Sequence, residues 1–551
     1  MGAAVTIGSF GPGAQIPLQG SDAGTAATYA LATAAYRDSP VEAILDANSD
    51  WHQSSVKPGK WPKLFRPDLG EAFSRAVQVR MLGGARKALI QSFGADPRPV
   101  VEHCLAASGI RKQRDIKLTL VTAVCGVLFL PGLLLWLGVI QLRRMAAGSE
   151  NKRNSAVGTA LLVIAGLFAA IVLVKLPWDG LLPNYLRAMI VAPVAGWFLA
   201  RRICENTAIV LRERWTALLS GGIGASVPEA VAKDPTDKAA QELQANLNKV
   251  SAEQLSNVAF YAGPKGILGM GTRWGSWVMA EELVPLAGKE IHDFRAWDII
   301  RRIHTELTLL ERGALKTGFP KPTVKHWIVS PVGEGAGEVS RPSGDNIVNY
   351  EVKPHEIQRI CNDQQFGAGN RHYLGVQFTL WDGQLVLTMM VTVTSLHHTL
   401  RVEVTGHALG PVHGFFGSKP SGKSKTVSKT VRFWETREIK LPLTDTDEVV
   451  RQAVRAPLTW FPPILEFLGG KLVLPEPFGL RHAWAGQPWR NRFMADDALR
   501  MATPVLRAVH AATIKALDEH NVDTSRFTSR SLGLGGGVQD ASPKKADLYD
   551  A

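Results

Sequence analysis

The sequence predicts an α+β protein: two or three transmembrane helices followed by a large soluble domain containing an antiparallel β-meander. Three observations carry that expectation. Three apolar runs, 118–142, 154–174 and 181–200, lie close together, and the first two hold no charge. Between Tyr373 and Val404 apolar residues alternate with smaller or polar ones, the period of a strand with one buried face. Between these regions, residues 294–313 place Trp297, Ile300, Ile303 and Leu307 at helical spacing, the stripe of an amphipathic helix.

The elements are taken in chain order. Residues 1–30 lack a basic start followed by an apolar run, which argues against a secretory signal and for a disordered N-terminus. Residues 31–114 alternate short helical patterns with Pro and Gly. They read as a small helical region, cytoplasmic or on the membrane surface, with Arg75, Arg80, Arg86 and Lys87 among apolar residues.

Residues 115–202 are the expected transmembrane region. A helix over 118–142 would be ~37 Å long, against a hydrocarbon core of ~30 Å. The 154–174 run is also long enough. The 181–200 run is interrupted by Pro183, Asn184, Arg187 and Pro193. Basic residues stand before the first run (Arg111, Lys112, Arg114, Lys117), after it (Arg143, Arg144, Lys152, Arg153) and after the third (Arg201, Arg202). The positive-inside rule then puts the C-terminal domain on the cytoplasmic side of a plasma membrane. The first run is basic at both ends and holds Pro131-Gly132 near its middle. It reads either as a full span or as a hairpin bent at that pair, and a bend at membrane depth needs protein to cover its backbone.

Residues 203–256 read as a linker and connecting helix, 257–528 as the soluble α+β domain, and 529–551 as a flexible tail. Asp382-Gly383 marks the first turn of the meander. Leu400, Val402 and Val404 form its third strand, with Arg401 and Glu403 on a wet face. Helices are expected near 445–456 and 504–519. Between them WFPPILEFLGGKLVLPEPFG is apolar, but Glu466 and Lys471 disqualify it as a span.

No catalytic constellation emerges, and the sequence implies no cofactor. GSKPSGKS, residues 417–424, matches the phosphate-loop pattern in form. The residues after it are strand-like, whereas a phosphate loop opens a helix. The segment reads better as a basic loop of Lys419, Lys423, Lys425, Lys429 and Arg432, suited to anionic lipid headgroups. His372, His397, His398 and His407 cluster in sequence and are the candidate metal ligands, without a recognised ligand spacing. Four distant cysteines, Cys104, Cys125, Cys204 and Cys361, suggest neither a disulfide framework nor a cysteine metal site. The excess of 62 basic over 49 acidic residues suits an anionic membrane. Nucleic acid is disfavoured, because no recognition helix or dense basic-aromatic stripe accompanies the charge.

The apolar hairpin, GMGTRWGSW and the meander YLGVQFTLWDGQLVLTMMVTVTSLHHTLRVEV together resemble a functionally uncharacterised group of multi-pass membrane proteins from actinobacteria. The resemblance covers residues 115–480. It implies a bacterial cell membrane and carries over no functional residue. The expected function is a membrane-anchored cytoplasmic interaction or scaffold protein, with a protein partner or a second copy. The alternatives are an enzyme or ligand-binding protein with its site in the C-terminal domain, and a subunit of an oligomeric transporter or pore.

Overall fold

A computed structural model describes residues 24–528 except 48–54, 61–62, 84–88, 148–151, 176–180, 221–226, 229, 232–235, 263–265, 318, 333–350, 364–368, 423, 429–435, 441, 476 and 491. Helix α1 (Ala26–Thr33) starts where Thr25 accepts the Thr28 amide, one of the donors that a helix start leaves unpaired. Strand β1 (Ser55–Pro58) and helix α2 (Leu69–Leu82) come next. Helix α3 (Pro97–Val121) opens with Asp96 as its cap and Pro97 in its first turn, where a missing amide costs nothing. It runs into a π-helical turn, Thr122–Val127, before α4 (Leu130–Ala147). Then come α5 (Lys152–Lys175), α6 (Leu181–Ser220) and α7 (Lys238–Leu255), the last capped by Asp237.

This layout corrects the expectation of two or three transmembrane helices ahead of a soluble domain. Among the described residues no single helix is long and apolar enough to cross a membrane. Residues 118–142 are not one rod. The chain bends by 94° between a helical stretch over 97–127 and another over 130–139, next to Pro131-Gly132. Residues 181–200 are the first half of α6, which contains Pro193 and continues through Arg201 and Arg202 to Ser220.

The C-terminal half is built on a six-stranded sheet. Its elements in order are β2 (Val258–Tyr261), β3 (Thr272–Glu282), α8 (Ala296–Thr317), β4 (Thr323–Pro331), α9 (Pro354–Asp363), β5 (Arg371–Leu380), β6 (Leu385–Leu396) and β7 (Thr399–Leu409). Strand order is β2-β4-β5-β6-β7-β3. Strand β2 runs parallel to β4 and the other neighbours are antiparallel, so the sheet is mixed. After it come the hairpin of β8 (Ser424–Ser428) and β9 (Thr436–Lys440), then α10 (Thr446–Arg455) and α11 (Pro462–Gly469). Strand β10 (Gly470–Val473) pairs antiparallel with β1, and α12 (Arg492–Glu519) ends the fold. Helix α12 starts well before Pro504, because Met494, Ala498, Met501 and Val505 already continue its buried face.

The sheet is not wet on one face throughout. Helices α8 and α12 cover one side, where Ile300, Ile303, Leu374, Val376, Met389 and Val505 share a core. On the other side Met390, Trp327, Val386 and Leu409 pack with Phe93 and Ala485. Adjacent methionines thus enter opposite cores, as the alternation of a strand requires. Only the Arg401 end of the meander keeps a polar, exposed row.

A third core joins the two ends of the chain. Tyr36, Phe73 and Val101 pack with Phe416, Phe478 and the fully buried Trp484. Beside it, charged groups tie the start of α2 to α10. Arg455 forks onto both Glu71 carboxylate oxygens at 2.7 and 2.8 Å, and Arg451 pairs with Asp68. Arg114 pairs with Asp115 at 2.8 Å, and Arg111 donates to the Ala35 carbonyl. Burial alone would raise the Glu71 carboxyl, but the Arg455 charge and hydrogen bonds hold it down at about 2. Removing one partner leaves a buried charge uncompensated. Arg455→Met is therefore expected to cost about 3 kcal/mol of stability or more, read as a lower denaturation midpoint, and the Arg455→Met/Glu71→Leu double variant to cost less than the single.

Candidate functional site

The bent pair α3–α4 packs on the first half of α6, and the contact explains how a bend is tolerated there. Pro193 has no amide to give to Met189, four residues earlier. The Met189 carbonyl faces Gly132, where any side chain would run into it. Gly196 in turn packs closely on Cys125 in the π-helical turn. Two side chains then satisfy carbonyls at the bend. The Tyr185 hydroxyl donates to Leu128 at 3.1 Å, and Trp136 Nε1 donates to Ile190 at 3.1 Å. The Phe129 and Tyr185 rings stack at 5.6 Å. The bend is partly covered by α6, with Gly126 and Gly132 buried while Val127, Leu128 and Leu130 stay exposed.

The outer surface of this assembly is apolar. Leu120, Val124, Val127, Leu128, Leu130, Leu134 and Leu135 on the bent pair are exposed. So are Val163, Ile164, Leu167, Phe168 and Ile171 on α5, and Val191, Phe198 and Leu199 on α6. Single exposed leucines need no explanation, but a contiguous set of this kind marks an interaction surface. Towards the body of the protein the face ends at Trp197, with the Arg201 guanidinium over its ring at 5.4 Å.

The four histidines singled out in the sequence do not converge. His372 is buried at the start of β5. His397 and His398 occupy the exposed turn between β6 and β7, His397 with φ +52°. His407 is buried in β7, with Arg273 and Thr388 as its cross-strand neighbours. Instead His372 meets a residue that sequence spacing does not single out: its Nε2 lies 3.0 Å from Nδ1 of His326. The His304 ring packs on His326 at 4.8 Å, and Trp297 closes the cluster 5.1 Å from His326. One signal is present in the sequence, since His304 lies seven residues after Trp297 on one helix face. Burial pushes His326 down to about 4 and His372 to about 3, so both are neutral near pH 7 and share one hydrogen bond. Among the described residues no group of three or more His, Cys, Asp or Glu is placed to hold a metal ion.

Of the basic loop, Lys419 is exposed after a short 3-10 turn, Gly414–Gly417. Lys425 lies in β8, and a strand rather than a helix therefore comes after the phosphate-loop pattern. Lys423, Lys429 and Arg432 lie outside the described residues. Arg212 of α6 donates to the Ser421 carbonyl at 2.8 Å, which fixes the loop base against that helix. A groove of about 250 Å³ between α2 and β10 is lined by Arg75, Val79, Arg80, Lys471 and Leu472, and by none of the four histidines.

Residues 276–541 match a family model described as the AbeC-like domain. The match begins inside β3 and covers the later strands, the C-terminal helices and beyond. The apolar helices and the N-terminal helices lie outside it. No curated protein matches the chain. No solved structure matches it either.

The geometry leads to three expected outcomes. Gly132→Leu is expected to separate α4 from α6 and to lower the unfolding midpoint, at about 1–3 kcal/mol. Gly138→Leu, with nothing near its would-be side chain, is expected to be neutral or mildly stabilising. For the histidine pair, the folded values lie below the unfolded value of about 6.5. Its contribution is thus complete above that pH and is lost as pH falls towards 4, because the unfolded chain takes up protons first. Stability measured across that interval should decline less steeply in His326→Phe than in the unaltered protein.

Proposed function

We propose that this chain is a membrane-attached interaction protein whose α+β body is held against the cytoplasmic surface of a bilayer. The observation that carries the reading is the contiguous apolar face of α3–α6, joined to a body whose cores are filled. Left in water, such a face drives aggregation. Against lipid it is matched. The attachment requires no helix to cross: the bent pair enters and turns, with the Tyr185 hydroxyl on the Leu128 carbonyl at the bend and Trp136 tying α4 to the Ile190 carbonyl of α6. Basic flanks at Arg143, Arg144, Lys152, Arg153, Arg201 and Arg202 suit anionic headgroups on the cytoplasmic side. The resemblance to actinobacterial membrane proteins supports the same attachment. A scaffold or interaction role fits the apolar face itself, since an exposed apolar surface of this kind marks a site of association.

Fractionation of cells expressing the full chain tests the attachment. The protein should stay with membranes through high-salt and alkaline carbonate washes and leave them only with detergent. Recovery as a monodisperse soluble species without detergent would overturn the reading. Crosslinking in intact membranes should give a discrete higher-mass product, either with a second copy or with a partner. The lone chain at every crosslinker dose would remove the interaction role.

A further inference from the structure

The piece between α10 and β10, disqualified as a span by Glu466 and Lys471, forms a short projecting corner. Trp460, Phe461, Ile464 and Phe467 are all exposed on it, at 49–60 % of their surface. On the inner side of the same corner Leu465 and Gly469 are buried. The tandem prolines Pro462 and Pro463 open α11 and set its entry angle, so the aromatic and aliphatic tips point one way.

The position of this corner relative to the apolar face is fixed at three points. Glu205 of α6 accepts from the Leu443 and Thr444 amides and the Thr444 hydroxyl, at 2.6 to 3.1 Å, just before α10. Thr122 of the π-helical turn donates to the Ala453 carbonyl at the end of α10. Val449 and Ala456 share a small core with Leu118, Ala200 and Cys204. The corner therefore leaves the body beside the place where α3 and α6 change from buried to exposed apolar side chains. Lysines surround it. The Lys60 ammonium sits 4.9 Å from the Phe467 ring, and Lys57 and Lys471 are exposed on the β1–β10 ladder at its base, where Lys471 also pairs with Glu466 of the corner at 3.6 Å.

We infer that residues 460–467 are a lipid-inserting wedge, a second bilayer contact whose aromatic tip enters the headgroup region while Lys57, Lys60 and Lys471 meet lipid phosphates. Apolar tips with a basic collar are what an anionic interface selects. The exposed lysines beside the apolar tips favour an anionic bilayer over a second copy of a chain that itself carries a net charge of +13. The inference rests on the proposed attachment and adds a contact that the apolar helices do not supply.

The test uses the full chain in phosphatidylcholine vesicles containing phosphatidylglycerol, in a Cys125→Ser background. Ile464→Cys and, separately, Leu167→Cys carry an environment-sensitive fluorophore. If the wedge inserts, the probe at 464 loses accessibility to aqueous iodide and is quenched by a spin label near the headgroup end of the acyl chain. Iodide quenching at 464 alongside lipid quenching at 167 overturns the wedge and leaves the attachment standing. Shielding from iodide at 464 without lipid quenching means a protein contact and also overturns it. Aqueous accessibility at both positions overturns the attachment itself.

Discussion

The buried arginine–carboxylate contacts between α10 and the start of α2 hold this molecule in register. Arg455 with Glu71 and Arg451 with Asp68 join residues almost four hundred positions apart. Such pairs contribute little net energy relative to well-packed apolar groups, because desolvation offsets their attraction. Their effect is one of placement. Once Glu71 and Asp68 are buried, no other position of α10 satisfies them. Helix α10 in turn fixes where α3 emerges from the body and where the chain turns into α11. The apolar face and the corner beside it are consequences of that clamp.

The bend in the first apolar run shows how several weak requirements combine. A proline removes an amide donor, and a second chain segment must come close without adding a clash. Gly132 against Met189, across from Pro193, meets the second need. Tyr185 and Trp136 each combine an apolar ring with one donor, which allows them to cap a carbonyl while the ring stays in apolar surroundings. The bend lies between α3 and α4, and α6 packs against it.

The sheet has a comparable division of labour. Its α8–α12 side is an ordinary core, read from the spacing of Trp297, Ile300, Ile303 and Leu307. Its other side is closed by Phe93 from the N-terminal part and Ala485 from near the C-terminus. Arg481, fully buried, donates to the Gly383, Gln384 and Gly410 carbonyls, linking the β5–β6 turn to the end of β7. Burial lowers that guanidinium to about 9, and carbonyl oxygens rather than a carboxylate receive it. Asp382 in the same turn accepts the Ala26 amide, so the first helix is seated on the meander as well.

Local periodicity determined much of this in advance. The two-residue rhythm placed β5, β6 and β7, the helical spacing placed α8, and Pro131-Gly132 marked the bend, because each depends on residues close in sequence. The histidines show where that reading stops. His372 stands out in the sequence, but its partner His326 is on the adjacent strand and His304 on a covering helix, so only strand pairing reveals the cluster. The same holds for the expected spans. Apolar length is legible residue by residue, whereas the bend between α3 and α4 is maintained by α6, and the continuation of α6 beyond residue 200 by its packing on the body. The sequence by itself determined which segments are apolar and which are strands. The tertiary structure decided which of those segments face a core and which face outward, because burial is a property of partners brought together across the whole chain.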